Sequence, residues 1–175
     1  MHLAHKRLPR IFSALLLILT LCFNTATAQQ TQSYPKIIGY FSMLNPISTY
    51  TNNKFSGNLS GVYVANFPFG INLIKSDNFG VSFEVSPSIR AENNTAKVTS
   101  IAFSPGALFR FQNNFAIIQR VAFETNGRFG VTTIFNKIIV KGKDASLFLA
   151  GPFATRLGNS APVSLTTGLQ IGVFF

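Results

Sequence analysis

Six charged residues stand where a strand pattern would turn them away from its apolar side: Glu84, Arg90, Arg110, Arg120, Glu124 and Arg156. Two carboxylates could share acid/base work, but four arginines on the same faces make structural ion pairing the better reading. The other three acids, Asp77, Glu92 and Asp144, fall in turn-like or loop-like stretches and read as solvated surface.

The rest of the catalytic inventory is thin. His2, His5 and Cys22 all lie in the first 28 residues, so a chain trimmed there has no Ser-His pair, no Cys-His pair and none of the usual zinc ligand sets. Gly57-Asn58-Leu59-Ser60-Gly61 places its serine one position too late for a nucleophile elbow, and no glycine-rich phosphate loop occurs. No catalytic residue, cofactor or metal is expected.

Trimming is itself an expectation. Lys6, Arg7 and Arg10 precede the apolar run 11–23, and Ala26-Thr27-Ala28 offers small residues before Gln29. That order is a secretory signal peptide, and the run is short of the roughly 20 residues that span a bilayer. The expected organisation is a cleaved signal at 1–28, a short tail at 29–35 and one β-barrel domain at 36–175.

Charged residues make up 11% of the chain, against about 25% in soluble domains, while 47% of residues are hydrophobic and phenylalanine alone numbers 19. The formal charge of +10 suggests anionic partners. Export and the lack of a clustered basic stripe argue against nucleic acid and towards phosphorylated membrane lipid.

Two-residue alternation positions the charged residues. Phe79, Val81, Phe83 and Val85 interleave with Gly80, Ser82, Glu84 and Ser86; Phe115, Ile117, Val121 and Phe123 interleave with Ala116, Ile118, Arg120 and Glu124. Eight strands follow, over 36–45, 60–74, 79–90, 97–111, 115–125, 129–140, 146–157 and 162–175, with a bulge expected near Asn136-Lys137.

Short polar turns at 75–78, 112–114 and 141–144 alternate with connections at 45–59, 91–96 and 158–161 that read as longer. Asn126-Gly127 is a tight exception. The expected architecture is an all-β, closed, antiparallel, up-and-down transmembrane barrel of about eight strands. Each polar face carries few charges among Gly, Ser and Ala, which suits a crowded interior better than the wetted exterior of a soluble lipocalin-type barrel.

The last strand sets Leu169, Ile171, Val173 and Phe175 on one apolar face. A chain ending on phenylalanine in this way resembles the outer-membrane β-barrel proteins of Gram-negative bacteria. The resemblance implies a place in the cell outer membrane, contact with outer-membrane lipid, and recognition of the last strand by the barrel-assembly machinery. Such barrels carry Trp/Tyr girdles, whereas this chain has no Trp and its four Tyr lie early. Phe79, Phe109, Phe111, Phe115 and Phe175 could form a belt in their place.

Eight strands make a cylinder that side chains nearly fill, so a general, porin-like open channel is not expected. The leading functional expectation is a non-enzymatic structural or interaction barrel that meets partner or lipid through its wall and loops, above all Asn45 to Leu59. The alternative is an accessory or narrow transport component of a larger envelope complex. A lipid-modifying enzyme and a soluble ligand-binding barrel rank below both.

Overall fold

Alternation gives each strand an apolar face and a face of small or polar residues, and closing the sheet on itself separates the two. The computed structural model describes residues 33–59 and 61–175. The expected signal peptide, with its cleavage site, and the start of the tail lie outside those residues.

The strands are β1 (Lys36–Thr51), β2 (Lys54–Gly57), β3 (Tyr63–Asn66), β4 (Phe69–Ile74), β5 (Phe79–Glu92), β6 (Thr95–Arg110), β7 (Phe115–Glu124), β8 (Phe129–Lys141), β9 (Ser146–Leu157) and β10 (Ser164–Phe174). Every pairing is antiparallel, and β10 returns to β1 from Tyr40 opposite Phe174 to Thr51 opposite Ser164. The hydrogen-bond ring is thereby closed through β1, and β2 is left paired on one side only.

Three of the ten strands share one place in the wall. β2, β3 and β4 all pair with β1, at Phe55 opposite Tyr50, Asn66 opposite Leu44 and Phe69 opposite Phe41. They are pieces of a single stave, so the wall is eight positions around, with ten strands. The break between β3 and β4 falls at Phe67-Pro68, where proline has no N–H to give the ladder. Its carbonyl instead accepts from Ser42 N at 2.8 Å and Ser42 Oγ at 2.9 Å. The break between β2 and β3 is bridged by Asn58, whose amide exchanges two 2.8 Å bonds with the Val64 backbone as a facing strand would.

Two of the three connections expected to be long are mostly taken up by strand. β1 does not stop at Asn45 but runs to Thr51, and the chain turns back through Asn52-Asn53, with φ of 49° and 59°. The stretch 91–96 likewise shrinks to a turn at Asn93-Asn94, with φ of 50° and 59°. Paired left-handed residues make the two-residue hairpin whose twist matches the strands, and asparagine tolerates that conformation better than most residues. Tight turns therefore replace those two loops, while the connection expected at 158–161 is present and runs over 158–163.

Register shifts occur in β1 between Pro46 and Ser48, between the β5 and β6 ladders after Ser88, and in β8 between Ile138 and Val140. The last lies one or two residues beyond the bulge expected at Asn136-Lys137.

Inside, the two halves differ. Near the rim that holds Lys36 and Phe175, the interior packs Tyr40, Ile74, Leu108, Ile118, Ile134 and Phe148, none more than 4% exposed. Phe148 and Phe174 stack with centroids 4.4 Å apart and both meet Tyr40 edge-on. Toward the opposite rim the inward residues become Ser, Thr, Glu and Arg, and the interior opens.

Candidate functional site

The ladder sets Ser82 opposite Gly106, and Gly106 opposite Arg120. A Cβ on Gly106 would stand 2.7 Å from Arg120 Cγ and collide with the Gln119 carbonyl oxygen. Glycine there lets the Arg120 side chain lie across β6 to β5. Its Nη1 donates to Glu84 Oε2 at 2.7 Å, and its Nη2 donates to Tyr40 OH at 2.9 Å and Ser82 Oγ at 2.8 Å. Tyr40 OH then donates to the same Glu84 oxygen at 2.8 Å.

The side chains of Arg120 and Glu84 are 2% and 10% exposed. A charge so placed depends on its partners, because desolvation is repaid only when the pair is well bonded. The Arg120, Glu84, Tyr40 and Ser82 cluster joins β7, β5 and β1, and sits between the apolar plug and the open half.

A second pair lies nearer the hairpin rim. Arg156 Nε donates to Glu124 Oε1 at 2.7 Å, and Arg156 Nη1 to Thr132 Oγ1 at 3.0 Å. The remaining two arginines expected in one interior network are elsewhere. Arg90 pairs with Glu92 at 2.9 Å at the hairpin rim, both about two-fifths exposed.

Arg110 ends β6 at the opposite rim, beside Tyr34 and Asp77. There the Tyr34 hydroxyl donates to Asp77, and that bond raises the phenol pKa above its usual value while Arg110 pulls it the other way. The charges form separate pairs, and Glu92 and Asp77 are exposed, as the sequence reads, each with a partner at its rim.

Ser82, which alternation places on the polar face with Glu84, belongs to the interior, and so do Tyr40 and Arg128, which the sequence does not mark. Tyr40 lies in a stretch apolar on both sides, which hides its inward direction. Arg128 follows the Asn126-Gly127 turn and reads as a turn charge; its Nη2 donates to Arg156 O, Pro162 O and Ser164 Oγ at 3.0 to 3.2 Å.

Above the Glu84 carboxylate the open half forms a vestibule of about 600 Å³. Hydroxyl side chains from β5, β6, β8 and β10 wall it, and Arg90, Arg128, Arg156 and Glu124 reach into it. Among the described residues no group of three or more His, Cys, Asp or Glu gathers as a metal site.

On the outer wall, Phe79 and Phe109 pair at 5.8 Å, and Phe111, Phe115, Phe135 and Phe153 continue as a chain of ring contacts. Leu169, Ile171 and Val173 face outward, 38 to 49% exposed, and Phe175 closes the seam through two 2.9 Å backbone bonds to Gly39.

No protein-family model matches the sequence, and no curated protein matches it either. Among solved structures, one described as the solution NMR structure of de novo designed TMB2.3 is similar at a TM-score of 0.38 and 10% identity. The match covers 81% of this chain and 96% of that one. The barrel assignment stands on the closed hydrogen-bond ring rather than on that likeness.

Proposed function

We propose that the protein is a non-enzymatic β-barrel of the outer membrane of a Gram-negative cell, exported behind a cleaved signal peptide and acting through its wall and its hairpin rim. The observation that carries this reading is the outward face. Phe41, Ile71, Phe83, Phe103, Val121, Phe135, Leu149 and Ile171, one from each position around the wall, are 37 to 50% exposed. A continuous apolar surface around a closed barrel is far more than a soluble monomer presents to water, and hydrocarbon is the solvent that suits it.

The interior supports a role without chemistry on a substrate. Among the described residues Glu84, Glu92 and Glu124 are each held by an arginine and Asp77 accepts from Tyr34, so none of these four is paired with another carboxylate for acid/base work. The phenylalanine contacts near the rim of Lys36 and Phe175 fit an interfacial belt. With the hairpins tight, partner contact falls to the wall and to the rim around Asn58 and Asn93-Asn94 rather than to a long loop at 45–59.

Membrane fractionation of a native host tests the reading. Recovery in the outer membrane with Gln29 as the first residue is the expected result. Recovery as a soluble periplasmic protein would overturn it.

A further inference from the structure

Arg128 differs from the other arginines that reach the vestibule. Arg156 and Arg90 are each paired with a glutamate, whereas no carboxylate among the described residues lies within ion-pair distance of Arg128. Its Nε is buried without a hydrogen-bond partner, while Nη2 is fixed by three oxygens. Its backbone is fixed as well, through Arg128 N donating to Asn126 Oδ1 at 3.0 Å. The result is a guanidinium held in one orientation, lining a cavity and lacking a counter-ion.

We infer that the vestibule is a binding site for a small hydroxylated oxyanion, a sugar-sized molecule bearing a phosphate or carboxylate, with Arg128 as its anion-binding group. With Nε shielded from the cavity and Nη2 committed to three oxygens, Nη1 is the donor that the fixed guanidinium has left for an oxygen of phosphate or carboxylate. A volume of about 600 Å³ suits a small-molecule site. Ser86, Ser88, Ser100, Thr132 and Thr166 line the walls and can exchange hydrogen bonds with ligand hydroxyls. The vestibule opens at the rim and is separated from lipid by the barrel wall, so the ligand arrives as a free solute.

This inference rests on the barrel and its interior, not on which membrane holds it, so failure of the fractionation test leaves it standing. Its test is calorimetric titration of the full protein, purified in detergent free of phospholipid, with glucose 6-phosphate and with glucose. Saturable binding of glucose 6-phosphate and none of glucose is expected, with affinity about ten- to a hundredfold lower in Arg128→Gln. Equal binding of the two sugars, no binding of either, or an Arg128→Gln variant that binds like the wild type would overturn it. Should that variant fail to fold, amide shifts of the wild type on adding glucose 6-phosphate give the answer. Changes at 126–128 and 164–166 are expected, and changes confined to the outer wall would refute the site.

Discussion

A guanidinium that is 2% exposed is stable only while its acceptors remain in place, so Arg120 and Glu84 should behave as a unit. Glu84→Ala or Arg120→Ala alone should cost about 3 to 5 kcal/mol in a detergent unfolding assay, because each strands the other's charge. The double variant should lose less than the sum, by a coupling of about 0.5 to 3 kcal/mol; strictly additive losses would show the two groups to be independent.

Gly106 offers a second measure. Gly106→Ala places a methyl against Arg120 and the Gln119 carbonyl and should cost about 1 to 3 kcal/mol. Gly151→Ala meets nothing within 4 Å and should stay within about 0.5 kcal/mol of the parent. Equal losses in the two would remove the reason for glycine at 106. The sequence carries this geometry because side chains alternate along β5, β6 and β7 and the turns between them set the approximate register, although the shift after Ser88 also enters the β5–β6 pairing and turn length does not show it. It could not carry Tyr40, because Ile37 to Leu44 is apolar on both faces and gives no inward direction.

At the scale of the element, the first hairpin and the closing strand show what a single sequence hides and what it displays. Ser48, Thr49, Tyr50 and Thr51 read as loop because hydroxyl residues are common in turns. In the barrel they extend β1, with Thr49 Oγ1 3.0 Å from Thr166 Oγ1 on β10. The turn itself was legible only as a pair of asparagines, the same signal that appears at Asn93-Asn94.

Replacing Asn93 and Asn94 with alanine should destabilise the β5–β6 hairpin by roughly 1 to 2 kcal/mol per left-handed residue. Glycine at both positions should be tolerated, and no difference between the two variants in unfolding would argue against the turn geometry. β10 was legible from its apolar face alone. Deleting Phe175 removes both of its backbone bonds to Gly39 at the seam, and Ile171→Arg sets a charge on the outer wall at a cost of about 2 to 4 kcal/mol near the membrane midplane. Each should reduce the amount of protein recovered in the outer membrane, and normal levels of both would contradict the outward assignment of this face.

For the whole molecule, the unequal halves of the interior decide whether anything passes through. A barrel eight positions around has an interior just wide enough for side chains to fill. Here the half nearest Lys36 and Phe175 is filled: Tyr40, Phe148 and Phe174 contact one another, and Leu108, Ile118 and Ile134 complete the layer. Above them Arg120 is tied to β1 and β5 at once, through Tyr40, Ser82 and Glu84, which closes the floor of the vestibule. An ion entering from the hairpin rim therefore meets first a cross-braced guanidinium and then an apolar plug, and neither offers a hydrated path. Among the described residues the interior is thus open towards the hairpin rim and filled towards the rim of Lys36 and Phe175. Reconstituted in a planar bilayer, it should show no stepwise current at low voltage, whereas its vestibule should still admit solute from one side. Discrete, reproducible conductance steps from the purified wild type would mean that the plug opens, and would turn the reading towards a narrow transport component.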